Sequence, residues 1–241
     1  MKAFTLIELL ITIGIIGLLA GLGLPVLNNA IQAGKKAKEI GALKSLITAY
    51  NTYSADNNGQ LLKSYDLNGT AYDIDGNQIG GEESHEAHRW PWRLAPYFNY
   101  NFYSTTHVNE MEKYIKSQGG LSQTYLVSVI PSFGLSLYCG GNDYEGSKSK
   151  AIIATHATQV NKPSQFIAFV SSRSVAVGKR YEGFYYVEQP RSSAKYDSKS
   201  NPKSTGNISA RYSGNAVVAF LGGNVSIVKY EDLVKTNYWI P

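Results

Sequence analysis

The sequence predicts an α+β protein in which one long N-terminal helix is followed by a head built on an antiparallel β-sheet. Two observations predict this order. No charged residue occurs from Leu9 to Gly34, and apolar residues then continue at steps of three and four as far as Tyr50, which is the spacing of an amphipathic helix. From Thr124 onwards the apolar residues instead form short runs between turn-forming residues, which is typical of strands.

The long helix is predicted from about Phe4 to about Tyr53 and divides into two halves. Residues 4–25 are apolar enough to cross a membrane, since a spanning helix needs about 20 such residues. Residues 26–55 are amphipathic, and we expect their apolar face to pack on the head. A secretory signal peptide fits less well, because the basic start is only Lys2 and no small-residue cleavage site follows the apolar run.

Several small residues and a proline lie in the first half of this helix. Glycine is costly in a water-exposed helix, whereas in a membrane small residues let helices approach closely. We therefore expect this half to pack against other helices, with a plain membrane anchor as the alternative. Proline should kink or locally melt the helix around residues 21–25. The residues concerned are Gly14, Gly17, Gly21, Gly23 and Pro25.

Glu8 is the one charged residue between Phe4 and Leu24. A carboxylate in lipid is costly and usually has a partner. Cleavage after Ala3 would create a free amine on Phe4, four residues from Glu8 and therefore on the same face of the helix. We expect the amine and the carboxylate to neutralise each other, within one subunit or between neighbours.

The stretch FTLIELLITIGIIGLLAGLGLPVL resembles the signal and stem helix of type IV pilins and type II secretion pseudopilins. Phe4 stands where mature chains of the family begin, and Glu8 and Pro25 match its characteristic glutamate and proline. The resemblance implies that residues 1–3 are a leader, that a membrane prepilin peptidase cuts before Phe4, and that the new amine is methylated. It implies that Glu8 helps to register an incoming subunit. Ala3 departs from the glycine that the family usually has before the cut.

A second, less specific resemblance covers the C-terminal part of the chain. The segments VNKPSQFIAFVSS and ISARYSGNAVVAFLGGNVSIVKYEDL are similar to large pseudopilin-like proteins of environmental Gram-negative bacteria. That family often has a histidine, then nine intervening residues, then Asp-Gly. Here Tyr212 and the pair Gly222-Gly223 stand at those positions, so the histidine and aspartate are absent.

These resemblances imply the pilin lollipop architecture, with the stem helix packed on the sheet of a head that spans residues 56–241. The implied function is a structural subunit of a type IV pilus-like extracellular filament, without enzymatic activity, cofactor or metal. The implied partners are further copies of the chain in a helical homo-oligomer, other pilins, the prepilin peptidase, the inner-membrane assembly platform, and membrane lipid before assembly. The prepilin would lie in the inner membrane, and the assembled subunit in an extracellular filament or a periplasmic pseudopilus.

Two alternatives remain open at this point. The chain could be a minor or type II secretion pseudopilin that forms a short periplasmic pseudopilus. It could also be a membrane-anchored glycan-binding head, with Trp90 and Trp92 on either side of Pro91 forming a stacking platform at the surface. The favoured role of these tryptophans is packing of the head against the stem helix. Pro91 is expected to disfavour a regular helix there.

Local patterns in the head predict its elements. The turn-forming sequence ADNNG should end the long helix, and VNEMEKYIKSQGG is expected to form a short helix. The polar segment EQPRSSAKYDSKSNPKSTGN is expected to be an exposed loop. Strands are predicted in TAYDI, TYLVSVI, FGLSLYCG, KAIIATHA, QFIAFVSS, GFYYVE, NAVVAFLGG and NVSIVKY.

Composition and motifs argue against several function classes. The net charge is +5 but the lysines are scattered, so no nucleic-acid partner is expected. No G-x-S-x-G or P-loop motif occurs. His85 and His88 are three residues apart without a further cluster of metal ligands. Cys139 is the only cysteine, and a buried structural role is favoured over a nucleophilic one.

Overall fold

A computed structural model describes residues 5–80, 84–144, 152–176, 179–191 and 195–241, with the backbone alone at residues 20, 22–26, 176, 179, 180 and 236. Ala3 and Phe4, at the predicted cleavage site, lie outside the described residues. The chain divides into two compact units, one up to Ala37 and one from Lys38 to Pro241. Each unit is described by itself below.

Helix α1 begins at Leu6 and ends at Asp56. Residues 21–25 are helical, so the melted stretch expected before Pro25 is not present in this structure. The helix stops where Asn58 and Gly59 adopt positive φ angles of 55° and 87°, and the Gly59 N–H donates to the carbonyl of Ser54 at 2.7 Å. The predicted helix stop is therefore confirmed, and it works through left-handed backbone that asparagine and glycine tolerate.

Five strands of the described chain form the main sheet, in the order β5-β1-β2-β6-β7. Strand β5 pairs with β1 in parallel, whereas the other three pairs are antiparallel. The sheet is therefore mixed, which corrects the prediction of an antiparallel sheet. The strands are β1 (Phe133–Ser136), β2 (Ile167–Ser171), β5 (Tyr186–Val187), β6 (Asn215–Phe220) and β7 (Val225–Lys229). Strands β3 (Ser174–Ala176) and β4 (Lys179–Tyr181) form a separate pair.

The centre of the sheet is buried on both faces. In β6, Val217 and Ala219 belong to the core that includes helix α1, whereas Ala216, Val218 and Phe220 belong to a second core with the C-terminal helix. Successive side chains of a strand point to opposite faces. A strand covered on both faces therefore reads as a continuous apolar run, as AVVAF does.

Short helices surround the sheet. They are α2 (His85–His88), α3 (Trp90–Leu94), α4 (Phe102–Thr105), α5 (Met111–Ser117), α6 (Gly120–Val129) and α7 (Tyr230–Leu233). Single 3₁₀ turns occur at Ala95–Phe98, Ala157–Gln159, Pro202–Thr205 and Thr236–Tyr238. Helix α5 lies within the segment predicted as helical, which confirms that prediction.

Four local predictions were wrong. TYLVSVI forms most of helix α6, because a short apolar run does not by itself distinguish a buried strand from a buried helix. Helix α3 forms despite Pro91, because proline in the first turn loses no intrahelical hydrogen bond. Residues 152–157 and the segment TAYDI form no strand within the described chain. They contribute only isolated bridges, such as Cys139 with Ala154 and Tyr72 with Gln78.

Candidate functional site: helix α1

The large apolar side chains of residues 6–19, in the first half of helix α1, are exposed. Leu6 is 85% exposed and Leu18 is 66% exposed. Large contiguous apolar surfaces are uncommon on soluble monomers and mark sites of interaction with other proteins or with membranes. The other large apolar side chains of residues 6–19 are likewise exposed: Ile7, Leu9, Leu10, Ile11, Ile13, Ile15, Ile16 and Leu19.

Glycines leave part of this exposed helix surface without side chains. A Cβ atom built on Gly14, Gly17 or Gly21 would meet no atom of the described chain within 4 Å. No contact there requires glycine, so its absence of a side chain remains available for close approach by a second helix. The spacing of three and four residues places these glycines on one face of the helix. Gly23 and Pro25 are described only as helical backbone.

The sequence predicts a membrane span in residues 4–25 of this helix. In the part of the chain that the structure describes, no helix has a stretch that is both long and apolar enough to cross a membrane.

Glu8 closes the first turn of the helix. The backbone N–H and the hydroxyl of Thr5 donate to Oε2 of Glu8 at 2.9 and 2.8 Å, and the Glu8 N–H donates to the Thr5 hydroxyl at 3.3 Å. This reciprocal arrangement is a capping box. Its sequence signal, Thr-x-x-Glu before an apolar run, is readable in the sequence and was missed. Pairing of Glu8 with the amine of Phe4 involves a residue outside the described chain and stays a prediction.

The second half of helix α1 buries its apolar face within the unit that begins at Lys38. Leu43, Leu46, Ile47 and Tyr50 are each at most 1% exposed. The Tyr50 ring meets Phe169 of strand β2 edge to face, with ring centroids 5.4 Å apart. Burial of these side chains stabilises the unit by about 1.5–3 kcal/mol each.

Polar contacts fix the same half of the helix. The Tyr50 hydroxyl donates to the carbonyl of Leu62 at 3.1 Å. The side-chain amide of Asn51 donates to the carbonyl of Leu221, just after strand β6, at 3.0 Å. These bonds set the position of the helix along the core, because each joins a specific residue of α1 to a specific backbone group.

A buried ion-pair network adds a further constraint. Nε of Arg211 lies 3.6 Å from Oε1 of Glu39, and Nη1 lies 3.2 Å from Oε2 of Glu182. Burial raises the pKa of the Glu39 carboxyl, because the cost of desolvating the charge exceeds the favourable effects of Arg211 and of the Tyr212 hydroxyl. No sequence pattern indicates this network, since its members are far apart in the chain.

The two candidate surface tryptophans are not alike. Trp90 is 0% exposed, its indole N–H donates to the carbonyl of Tyr185 at 2.7 Å, and its ring lies 5.2 Å from Phe169. A buried ring offers no platform for a sugar, so surface binding by Trp90 does not fit this structure. Trp92 is half-buried, and its indole N–H donates to the carbonyl of Thr124 in helix α6 at 3.1 Å.

The remaining chemistry-bearing residues form local contacts. The Tyr65 hydroxyl lies 2.6 Å from Nδ1 of His85 and 3.2 Å from Nδ1 of His88. Within the described residues, no group of three or more His, Cys, Asp or Glu side chains could hold a metal ion. Cys139 is buried with its Sγ 3.3 Å from the Tyr50 hydroxyl, and burial raises the pKa of its thiol to about 12. Such a thiol is a poor nucleophile, because the thiolate is the reactive form.

Comparisons of the chain with protein-family models, with curated proteins and with solved structures found no match. The resemblance to pilins therefore depends on the residues of the sequence alone.

Proposed function

We propose that the chain is a structural subunit of a type IV pilus-like extracellular filament, assembled through its N-terminal helix after cleavage by a prepilin peptidase. One observation carries the proposal. Residues 6–19 of helix α1 present apolar side chains that the described chain does not cover, and the sequence of the same helix has Glu8 and Pro25 at the glutamate and proline positions of a pilin stem. Apolar surface of this extent is stabilised when it is transferred from water to lipid or protein.

In the proposed mechanism, membrane lipid first covers the N-terminal half of the helix. The peptidase hydrolyses the bond between Ala3 and Phe4 and removes residues 1–3. Subunits then exchange contacts with lipid for contacts with the helices of other copies and other pilins. Because lipid tails are as apolar as leucine, close packing at Gly14, Gly17 and Gly21 supplies much of the specificity.

The two glutamates of the helix have separate roles in this proposal. Glu8 pairs with the Phe4 amine of a neighbouring copy and sets the register of the incoming subunit, because an unpaired carboxylate in an apolar filament core is costly. Glu39 lies in the second half of α1, which forms the junction with the head. This half is the part of the stem that packs over the sheet. The head then forms the outer surface of the filament.

The first experiment measures the intact mass and N-terminal sequence of material sheared from the surface of cells that express the chain together with a pilus assembly machinery. A chain that begins at Phe4 with a methylated amine supports processing and export together. A chain that begins at Met1 and occurs only in the membrane fraction contradicts the proposal. Long surface fibres of this chain alone distinguish a pilus from a short periplasmic pseudopilus.

A variant pair separates assembly from processing. Glu8→Ala should still be cleaved but should yield few or no filaments, measured by electron microscopy of the sheared fraction. Glu110→Ala is the matched control, because Glu110 is exposed and lies outside helix α1. Normal filament yield from Glu8→Ala would rule out the registration role.

A further inference from the structure

Three segments of the head have the sequence Asn-x-Ser or Asn-x-Thr, where x is not proline. They begin at Asn68, Asn207 and Asn224. This triplet is the acceptor motif of asparagine-linked glycosylation, in which the asparagine amide receives the glycan. Since so short a motif also occurs by chance, the structural setting of each asparagine decides which of them is accessible to a transferase.

Asn68 lies in a tight turn between residues 66 and 69. The Gly69 N–H donates to the carbonyl of Asp66 at 3.0 Å, and the Asn68 N–H donates to Oδ1 of Asp66 at 3.1 Å. An aspartate that accepts from the backbone N–H two residues later is a common way to form such a turn. The side-chain amide of Asn68 takes no part in these bonds, so it does not hold the turn.

Other contacts attach this turn to the rest of the unit that begins at Lys38. The Leu67 N–H donates to Oδ2 of Asp143 at 3.1 Å. A Cβ atom built on Gly69 would lie 2.8 Å from Cδ of Arg93, so glycine is what allows the turn to approach that side chain. The glycine in the middle of the motif therefore has a structural reason, whereas the residues on either side of it do not show one.

The two side chains that a transferase reads in this motif are both accessible. Asn68 and Thr70 are exposed, and neither the Asn68 amide nor the Thr70 hydroxyl forms a hydrogen bond within the described chain. Residues 68–70 belong to no helix or strand. The triplet can therefore enter the active site of an enzyme without the loss of a strand pairing or of a side-chain hydrogen bond.

The motif at Asn207 is buried. Asn207 is 2% exposed and Ser209 is 0% exposed. The Ser209 hydroxyl donates to Oε2 of Glu182 at 2.6 Å, and its N–H donates to the carbonyl of Ser171 in strand β2 at 2.8 Å. An enzyme would reach this asparagine only after local unfolding, which costs free energy in proportion to the contacts that break.

The motif at Asn224 is exposed but is part of the sheet. The side-chain amide of Asn224 donates to the carbonyl of Ser164 at 3.1 Å. The next two residues belong to strand β7, which pairs with β6. Modification at this position would have to break these contacts, so Asn68 is the acceptor that the fold leaves most accessible.

We propose that Asn68 is an acceptor for asparagine-linked glycosylation, with an oligosaccharide joined to a polyprenyl diphosphate as the donor. Nδ2 of Asn68 forms a bond to the anomeric carbon of the first sugar, and the amide loses one proton. The bond between that carbon and the diphosphate oxygen breaks, and the polyprenyl diphosphate leaves with the electron pair. The inference goes beyond the proposed filament function and rests on it only for export of the head.

A carboxylate also distinguishes this motif from the other two. Asp66 lies two residues before Asn68, whereas Thr205 and Gly222 occupy the equivalent positions before Asn207 and Asn224. A transferase with a cationic group beside its acceptor site would favour the negative charge of Asp66. Charge and accessibility therefore select the same asparagine.

The test is a transfer reaction on the purified full-length chain in nonionic detergent. The reaction contains a single-subunit bacterial oligosaccharyltransferase that accepts a carboxylate two residues before the asparagine, and a polyprenyl-diphosphate-linked oligosaccharide of known mass. We expect intact mass spectrometry to show the addition of one glycan, and peptide mapping to place it on Asn68. Asn68→Gln should abolish the addition. Asn224→Gln is the matched control, because Asn224 is also exposed and begins a motif of the same kind, and it should leave the addition unchanged.

Two variants of Thr70 test whether the motif, and not only the asparagine, is read. Thr70→Ala removes the hydroxyl and should slow the transfer by about tenfold or more, the equivalent of one lost hydrogen bond to the enzyme. Thr70→Ser keeps the hydroxyl and should still be modified. Because Thr70 is exposed, both variants should fold as the wild type does, which circular dichroism checks.

Several results would overturn the proposal. A synthetic peptide of residues 64–72 that is modified while the folded chain is not would show that the fold hides Asn68. A peptide that is not modified either would show that the triplet is no acceptor. An addition that persists in Asn68→Gln, or that maps to Asn207 or Asn224, would assign the site elsewhere. Since the reaction uses purified, unassembled chain, failure of the filament proposal leaves this test unaffected.

Discussion

Both halves of helix α1 carry large apolar side chains, but those of the first half are exposed and those of the second half are buried. Leu18 in the first half is 66% exposed, whereas Leu46 in the second half is 0% exposed. Both are leucines in the interior of the same helix, so neither residue type nor helical geometry explains the difference. What differs is the presence of a partner, because the hydrophobic core of the unit from Lys38 covers Leu46. Apolar character therefore predicts that a surface will be covered, but not by what.

The two glutamates of helix α1, Glu8 and Glu39, show the same contrast between an exposed and a buried side chain. Glu8 is exposed and accepts hydrogen bonds from Thr5, one turn away. Glu39 is 2% exposed and pairs with Arg211, which follows from tertiary structure. A carboxylate can be stabilised locally at a helix start, where backbone N–H groups are free, but in a core it needs a cation from elsewhere in the fold.

The largest expected effect concerns the leucines. Leu46→Ala should lower the free energy of unfolding by about 3–5 kcal/mol, because it removes a buried side chain and leaves a cavity. Leu18→Ala should change it by less than about 0.5 kcal/mol, because an exposed side chain contributes little to folding of one chain. Chemical denaturation of both variants in nonionic detergent measures the difference. Equal losses would mean that the first half is covered within the chain itself.

The buried ion pair should show an intermediate effect that depends on pH. Arg211→Leu leaves the Glu39 carboxylate buried without its nearest cation and should cost about 2–3 kcal/mol at pH 7. Burial already raises the folded-state pKa of Glu39 above the ordinary glutamate value of 4.5. Its contribution to stability is therefore complete below pH 4.5 and is lost as pH rises through the folded pKa. Without Arg211 that pKa rises further, so the loss with rising pH should be larger.

The measurement is the free energy of unfolding of wild type and Arg211→Leu between pH 4 and pH 7. The gap between the two proteins should widen as pH rises. Glu182, Tyr212 and Lys38 also act on Glu39, so Glu39→Gln in the Arg211→Leu background is the control. If the difference in free energy of unfolding from wild type widens equally for the double variant, ionisation of Glu39 is not the cause of the pH dependence.

The smallest effect is expected for an exposed pair. Lys38 Nζ lies 3.0 Å from Oε2 of Glu112 in helix α5, with about half of the Lys38 side chain exposed. Lys38→Ala should cost less than about 1 kcal/mol, because water and salt screen such pairs. Thermal unfolding at low and high salt tests this. The control is Lys35→Ala, because Lys35 is exposed and has no ion pair among the described residues. A larger, salt-independent loss would show that this contact holds helix α1 more firmly than its exposure suggests.

One polar loop is also held by contacts that its own sequence does not predict. The polar segment 188–207 gives no sign of structure in its composition. Its described part is nevertheless tied to Arg173, which is 3% exposed and donates to the hydroxyls of Ser200 and Thr205 at 2.9 and 3.1 Å. The Arg173 guanidinium also lies 5.0 Å from the centroid of the Tyr196 ring. A buried arginine thus contacts several residues of a loop that looks unstructured in sequence.

The sequence by itself determined the elements whose signals are local. The apolar spacing up to Tyr50 predicted helix α1, ADNNG predicted its end, and short apolar runs predicted strands β1, β2, β6 and β7, because helices, turns and strands each impose their own residue spacing. Thr5 and Glu8 carried a readable cap signal as well. The exposed apolar run and its resemblance to pilin stems also come from sequence alone.

Only the tertiary structure decided which surfaces meet. It made TYLVSVI a helix, paired β5 in parallel with β1, buried Trp90, and joined Arg211 to Glu39 and Glu182. Each of these features depends on residues far apart in the chain. Their free energies come from burial and charge pairing between elements, and a window of neighbouring residues does not contain that information.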